Sequence, residues 1–219
     1  MERQIIITLG RRIGAGGLEI AHTLAGRLGI KVYDKELIEI AAEESGLAPD
    51  VFEKTDEVPA SKSRFARFFG QRSSNYVDTR SYSPDSAISE DDLFKTQSDI
   101  IRQIADAGSG IFVGRCADYV LRDREGMLSV FITADIEDRV ARIVEKRGIA
   151  AKEAEKLIFQ GERRRASYYN YYATGTWGDV NNYDLCVDTG TLGIEGCVEL
   201  ICKCVEIKKK MIEDKEKEW

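Results

Sequence analysis

Near its start the chain carries a glycine-rich segment that contains two arginines, Gly10-Arg11-Arg12-Ile13-Gly14-Ala15-Gly16-Gly17. Glycine allows positive φ angles and lets backbone N–H groups approach an anion closely. The N-terminus of a helix that follows such a turn adds about half a positive charge. The segment therefore predicts a cradle for a phosphate group. The predicted contacts come from Gly10, Arg11, Arg12, Gly14, Ala15, Gly16 and Gly17.

This glycine segment departs from the two common nucleotide-binding patterns. The Walker A pattern G-x-x-x-x-G-K-[ST] needs a lysine after its last glycine, but Gly16 is followed by Gly17 and then by Leu18. The dinucleotide pattern G-x-G-x-x-G is not matched either. A tight strand-to-helix turn that binds nothing is the alternative interpretation. Positive side-chain charge at the segment must come from Arg11 or Arg12.

A second candidate is Arg115, which follows the apolar run 111–113 in the sequence Gly114-Arg115-Cys116-Ala117-Asp118. The planar guanidinium group suits bidentate contacts with phosphate oxygens. The alternative is an arginine at a helix start that pairs with a nearby acidic side chain. We favour a phosphate contact for Arg115.

A run of charge, Glu162-Arg163-Arg164-Arg165, lies on a predicted long helix. Consecutive arginines spread over a wide arc, so a solvated helix face is the usual meaning of such a run. Here the run is followed by a tyrosine-rich stretch and by Gly175-Thr176-Trp177-Gly178-Asp179. That composition is typical of a glycine-hinged lid, and arginines on a lid can stabilise a transferring phosphoryl group.

The elements that must position these residues alternate along the chain. Apolar runs predict five strands, at 5–9, 30–33, 111–113, 128–132 and 183–187. Apolar spacing and end signals predict helices at 18–28, 34–45, 93–107, 134–147, 152–169 and 194–212. Such alternation predicts an α/β fold: a three-layer, parallel, five-stranded sheet flanked by helices. Ligands of these sheets bind at the carboxyl ends of the strands, where the glycine segment, Asp34 and Arg115 would lie.

The chain predicts a single domain over 1–219, with its core in 1–57, 91–150 and 180–212. Residues 58–90 are rich in Ser, Gly, Pro and charge, which predicts a mobile, partly helical excursion. A substrate lobe that closes over the substrate is one interpretation of this excursion. An unimportant long loop is the alternative for that segment. Residues 151–179 form the predicted lid.

Composition limits the classes of function. The 219 residues carry a net charge of −6, which argues against binding of polymeric nucleic acid. We expect no membrane association, because no apolar run approaches a span and the start of the chain does not resemble a signal peptide. The five cysteines lack paired zinc spacing and favour reduced thiols in a cytoplasmic protein, so we assign no metal ligands. The lone His22 has no nucleophile beside it in the sequence.

Taken together, these motifs resemble the cytidylate kinase-like proteins, which are P-loop relatives of the nucleoside monophosphate kinases. The resemblance spans nearly the whole chain. Its marks are the glycine segment, Tyr33-Asp34-Lys35-Glu36-Leu37-Ile38, Gly114 to Asp118, and Trp177-Gly178-Asp179 followed by Asn182-Tyr183-Asp184-Leu185-Cys186. Cytidylate kinases proper end their loop in Gly-Ala-Gly-Lys-Gly-Thr. In this chain Gly17 stands in place of the lysine and Glu19 in place of the hydroxyl residue.

The resemblance implies transfer of the ATP γ-phosphoryl group to a nucleoside monophosphate such as CMP. It implies that Arg115 holds the acceptor phosphate, with Asp34 and Asp118 among the substrate-binding residues. It also implies that Arg163 and Arg165 close on the transferred group, in an acid-x-x-Arg arrangement with Glu162. The implied cofactors are ATP and Mg²⁺, with Asp34 or Asp118 near the metal.

Three functions stay open at this point. The first is a working nucleotide kinase, which the retained arginines favour. The second is a degenerate P-loop protein that binds or senses a nucleotide or phosphate without turnover, which the missing lysine favours. The third is a kinase for another small phosphate acceptor. The expected partner is a small-molecule nucleotide, and the sequence leaves the oligomeric state open.

Overall fold

The computed structural model describes residues 4–34 and 90–217. The predicted helix after Asp34 and the predicted substrate lobe at 58–90, apart from its last residue, lie outside the described residues. The described strands are β1 (Ile6–Arg11), β2 (Lys31–Tyr33), β3 (Gly110–Val113), β4 (Leu128–Thr133) and β5 (Leu185–Asp188). The described helices are α1 (Gly17–Leu28), α2 (Glu90–Ala107), α3 (Ala117–Val120), α4 (Ile136–Arg147), α5 (Ala151–Tyr172) and α6 (Thr189–Lys217), with a 3-10 turn at Val180–Asn182.

The chain divides into two compact units, Met1–Lys35 with Ile101–Trp219, and Glu36–Ile100. The first unit contains the whole sheet and the residues discussed below. Of the second unit the structure describes residues 90–100, which form the first part of α2.

The five described strands form one sheet in the order β2-β3-β1-β4-β5, and every pairing is parallel. This confirms the predicted parallel sheet flanked by helices. The strand β1 is central, so both of its edges are paired. Both of its faces are covered as well, since even Thr8 is only 1% exposed. A strand buried on both faces needs a continuous apolar run rather than an alternating one, which is what the sequence of β1 shows.

A core cluster joins one face of the sheet to α1 and α6. Its members include Ile7 and Leu9 of β1, Ile20 and Leu24 of α1, and Ile201 of α6, all of them buried. The contacts of α1 with α6 fasten the start of the chain to its last helix. The turn between β1 and α1 is therefore held at both of its ends by packed elements.

Two of the element boundaries that differ from the prediction lie next to the glycine turn or its supporting helix. Gly10 and Arg11 belong to β1 rather than to the turn, because their backbone pairs with Phe131 and Ile132 of β4. On the other side of β1 the pairing with β3 stops at Leu9. The last helix begins at 189, because the Asp188 carboxylate accepts hydrogen bonds from the Gly190 and Thr191 N–H groups. Its backbone is then interrupted at Gly193, next to the predicted start at 194.

Candidate active site

The turn that connects β1 to α1 has the backbone form that a phosphate cradle requires. Gly14 and Gly16 have φ angles of 82° and 76°, in the left-handed region that favours glycine. A side chain at Gly14 would also collide with the backbone of α4, since its Cβ would lie 2.7 Å from the Arg139 carbonyl oxygen. Gly16 caps α1 and no side chain caps this helix in the described part of the chain. The first turn of α1 therefore keeps its N–H groups for another partner.

Side chains from three helices hold the carbonyl oxygens around this turn. The donors are Arg165 Nη1 to Arg11 O at 2.9 Å, Arg139 Nη1 to Ile13 O at 3.4 Å, Arg142 Nη1 to Gly14 O at 2.7 Å and Thr189 Oγ1 to Ala15 O at 3.1 Å. Carbonyl oxygens repel an anion, so donors that engage them suit a loop that binds phosphate through its N–H groups.

Three guanidinium groups meet at the carboxyl edge of the sheet. Arg11, Arg115 and Arg165 line one cavity of about 510 Å³. Burial lowers the pKa of Arg11 to about 9, and the charges of Arg165 and Arg115 add to this effect, while Asp34 opposes it. Burial also lowers the pKa of Arg165. The protein thus holds positive charges close together at some cost, and a bound anion would relieve that repulsion.

The backbone around Arg115 adopts a rare conformation. Gly114, Arg115 and Cys116 have φ angles of 77°, 56° and 53°. A left-handed conformation costs a residue other than glycine about 1–2 kcal/mol, and such strain concentrates at functional sites. The guanidinium carbon of Arg115 lies 5.8 Å from the centre of the Tyr168 ring. Burial raises the pKa of Cys116 to about 12, so its thiol is not a nucleophile at neutral pH.

Tyrosines form much of the remaining wall. The Tyr169 hydroxyl donates a hydrogen bond of 2.7 Å to Asp118 Oδ2, and burial raises the pKa of Asp118. Tyr168 and Tyr183 also line the cavity, and burial raises the pKa of both hydroxyl groups. These phenols are therefore neutral hydrogen-bond donors at physiological pH.

The helix α5 rests on the turn. Glu162 forms ion pairs with Arg12 at 3.1 Å and with Arg139 at 2.6 Å. Ile13 packs directly against Gly161, so a Cβ on Gly161 would overlap the end of the Ile13 side chain. Arg12 also lies over the Trp177 ring, 5.8 Å from its centre. The predicted lid is therefore in contact with the predicted phosphate loop.

Most of the predicted site residues converge on this edge. Gly10, Arg11, Arg115, Asp118 and Arg165 line the cavity. Arg12 and the remaining predicted loop residues form the adjoining turn, and Asp34 follows the last residue of β2. Arg163 is exposed and does not line the cavity, whereas its neighbour Arg164 does.

Sequence reasoning missed several residues of the site, among them Arg139, Arg142, Tyr169, Tyr183 and Thr189. Arg139 and Arg142 are three residues apart on α4, so they share a helix face. That spacing was a usable signal, and Arg139 is only 6% exposed in the fold. Thr189 and the two tyrosines carry no such pattern.

A central parallel strand that leads through a glycine turn into a helix, in a sheet of this order, defines a P-loop protein of the kinase type. The model of the Cytidylate kinase-like family matches residues 6–191. The chain belongs to that family, as the sequence resemblance indicated.

Two proteins named cytidylate kinase are similar to this chain. The one from Archaeoglobus fulgidus is 26% identical over 216 residues, which cover 95% of this chain and 99% of the relative. The one from Methanopyrus kandleri is 26% identical over 194 residues, which cover 84% of each protein.

Solved structures agree on the fold. An uncharacterized protein from Eubacterium ventriosum has a TM-score of 0.69 at 26% identity, over 93% of this chain and 99% of that one. A shikimate kinase from Bacteroides thetaiotaomicron has a TM-score of 0.50 at 14% identity, over 92% of this chain and 98% of that one. The second likeness concerns the fold alone. No helix in the described ranges is long and apolar enough to cross a membrane.

Proposed function

We propose that this protein transfers the γ-phosphoryl group of ATP to a nucleoside monophosphate, with CMP as the acceptor. The observation that carries the proposal is the cluster of Arg11, Arg115 and Arg165 around one cavity beside the glycine turn. The names of the two cytidylate kinases support the choice of CMP. The partner is a small nucleotide, and the net charge of −6 supports this over polymeric nucleic acid. The cytoplasm, where both nucleotides are found, is the proposed location.

Phosphoryl transfer needs positioning and charge neutralisation more than it needs a side-chain nucleophile. The turn from Arg12 to Gly16 and the first N–H groups of α1 would bind the ATP phosphates. Arg115 would hold the acceptor phosphate, and Arg165 would neutralise charge on the transferred group. Arg165 reaches this position because its Nη1 donates to Arg11 O. Arg163 stays a prediction, since it is exposed on α5.

Magnesium is the metal that this type of reaction uses. No group of three or more His, Cys, Asp or Glu side chains in the described residues could hold a metal ion by itself. Mg²⁺ is usually held by substrate phosphates, water and one or two carboxylates, so one carboxylate at this edge would complete its ligands. Asp34 is the better placed carboxylate, because it interacts electrostatically with Arg11 at the loop. Asp118 fits less well, because it accepts a hydrogen bond from Tyr169 and burial raises its pKa.

A sensor that binds a nucleotide without turnover is the second candidate. Gly17 and Leu18 supply neither the lysine nor the hydroxyl of the Walker A pattern, which favours this function. The two candidates share the binding site and differ only in catalysis.

The experiment that separates them follows ADP formation from Mg-ATP with CMP, UMP, dCMP, AMP and GMP as acceptors. A kinase produces ADP and CDP in equal amounts, fastest with CMP. Binding of ATP in a calorimeter without ADP formation from any acceptor would identify a sensor. Absence of both binding and turnover at millimolar nucleotide would reject both functions.

A further inference from the structure

The glycine turn differs from the Walker A pattern in the position of its positively charged residue. In the Walker A pattern the first glycine precedes the lysine by six positions. Counted back from Gly17, where the lysine would stand, that first position is Arg11. The chain thus has a cation where the pattern has glycine, and glycine where the pattern has the cation.

Positions 11 and 17 face each other across the turn. A Cβ placed on Gly17 would lie 2.9 Å from both Cβ and Cγ of Arg11. Contacts this short do not occur between real side chains, so only one of the two positions can carry a long side chain. The stem of Arg11 fills the space that a lysine at 17 would need.

The rest of Arg11 also depends on a glycine. A Cβ on Gly114 would overlap the guanidinium group of Arg11, which therefore passes over Gly114 toward Arg115. The two glycines thus accommodate the two ends of one side chain. The charges of Arg165 and Arg115 contribute to the lowered pKa of Arg11, and all three residues line the same cavity. The Arg11 guanidinium group therefore lies close to the other two.

We propose that Arg11 is the phosphate-binding cation of this loop, supplied from the end of β1 in place of the lysine that would begin α1. Arg11 rather than Arg12 has this role, because Arg12 is paired with Glu162 and lies over Trp177. A guanidinium group can bind two phosphate oxygens at once, in a fixed plane, where lysine is a point charge. The proposal deepens the proposed function, but the anion site that it describes does not require turnover.

The test exchanges the two residues. Arg11→Gln, Arg11→Ala, Gly17→Lys and the double variant R11G/G17K are compared with the wild type. Arg27→Ala is the matched control, because Arg27 lies in the last turn of α1, far from the loop, and pairs with Glu195. Tripolyphosphate binding is measured by calorimetry at fixed ionic strength, KM for ATP and kcat are measured with CMP, and thermal melts confirm folding.

Each variant has an expected result. Loss of one charged bidentate contact weakens tripolyphosphate binding about 10–150-fold in the Arg11 variants, since hydrogen bonds to charged groups are worth about 1.5–3 kcal/mol. The double variant regains most of that affinity, because a lysine at 17 finds the space that Arg11 occupied. Gly17→Lys alone lowers the melting temperature through overlap with Arg11. Arg27→Ala binds like the wild type.

Unchanged affinity in both folded Arg11 variants would overturn the assignment, as would a folded double variant that binds no better than Arg11→Ala. If the wild type binds tripolyphosphate but forms no ADP, the proposed kinase activity is wrong. The binding data of the variants would still test the assignment of Arg11 as the phosphate-binding cation. Failure of the wild type to bind tripolyphosphate or ATP would reject both proposals.

Discussion

The amino and carboxyl edges of the sheet differ in how their charged side chains are paired. At the amino edge, the Asp184 carboxylate accepts hydrogen bonds from the Ser129 N–H at 2.9 Å and from Lys208 Nζ at 2.8 Å. At the carboxyl edge, Arg11, Arg115 and Arg165 share one cavity, and the charges of Arg165 and Arg115 add to the burial that lowers the pKa of Arg11. At the amino edge the negative charge of Asp184 is paired with the positive charge of Lys208. The carboxyl edge has an excess of positive charge that an anion would balance.

The backbone shows the same contrast. The turn after β3 contains three successive residues with φ between 53° and 77°, two of which are not glycine. The connection that enters β3 includes Ser109, whose hydroxyl simply accepts a hydrogen bond of 2.8 Å from the Ile5 N–H. Strained backbone and like charge thus occur together at the carboxyl edge, whereas the amino edge has paired charges, which agrees with the proposed anion site at the carboxyl edge.

The largest effect is expected from Arg115→Ala. Arginines that stabilise phosphoryl transfer can contribute about 10³-fold or more to the rate. We therefore expect kcat/KM for CMP to fall about 10³-fold, while the melting temperature is kept or rises as like charge is removed. Steady-state kinetics with CMP varied at saturating Mg-ATP provide the measurement. Arg122→Ala, an exposed cation stacked on Tyr119, serves as the control. A decrease in kcat/KM of less than about threefold would contradict the role of Arg115 in binding the acceptor phosphate.

Glu162→Gln breaks the ion pairs that join α5 to Arg12 of the turn and to Arg139 of α4. Arg139 is 7% exposed at its side chain and would lose its charged partner. Removal of one member of a buried pair costs about 3–5 kcal/mol, and we expect about 3 kcal/mol because glutamine still accepts a hydrogen bond. Urea unfolding measures this, with the exposed Glu155→Gln on the same helix as control. Equal stabilities of the two variants would contradict the role given to Glu162.

Gly114→Ala tests the strained turn against a glycine at the other edge. The new Cβ would adopt a φ of 77° and overlap the Arg11 guanidinium group, so we expect a loss of about 2 kcal/mol in the free energy of unfolding. The control is Gly108→Ala, just after α2, where nothing lies within 4 Å of the position that the new methyl group would take. Its stability should change by no more than about 0.5 kcal/mol. Similar losses of unfolding free energy in both variants would contradict the conclusion that the turn after β3 is more strained than the amino edge.

The smallest effect concerns the amino edge. Burial acts against the charge of Asp184, but hydrogen bonds from Lys208 and Ser129 prevail and lower its pKa below 3.8. The folded state therefore favours the carboxylate, so the stabilisation is present above pH 4 and disappears as the pH falls through the lowered pKa. We expect Asp184→Asn to cost about 1 kcal/mol at pH 7, since the pair is partly exposed.

That difference should shrink as the pH falls from 4 through the lowered pKa of Asp184, because the wild-type carboxyl then becomes protonated as well. Urea unfolding of both proteins at pH 7, 4 and 3 would show it. A difference that grows as the pH falls would mean that the carboxyl is held neutral in the folded state.

Local signals made the strand, glycine turn and helix at 5–28 predictable. A β-branched run, glycines and apolar residues at helical spacing agree there, and the structure differs mainly at Gly10 and Arg11. Arg115 was predictable for a related reason, because it directly follows a short apolar strand. In both places the sequence neighbours of a residue decide where it lies.

The partners of the loop were not predictable in that way. Arg139 and Arg142 reach carbonyl oxygens 126 and 128 residues earlier in the chain. Nothing local to α4 says which turn it packs against, since that depends on how the whole sheet is ordered. For the same reason, the run 163–165 gave no basis for separating the exposed Arg163 from Arg165 in the cavity. The assignments of the lid and of the substrate lobe stay predictions.

The hydrogen bonds that reach the loop carbonyls from α4, α5 and α6 have a consequence for inheritance and engineering. A loop shaped by donors in distant helices is not a portable module. Grafted alone onto another sheet, the sequence from Gly10 to Gly17 would lack the groups that orient it, and it would lose the phosphate affinity that we propose for it. In homologues, substitutions in this loop should therefore occur together with substitutions in the three helices that contact it.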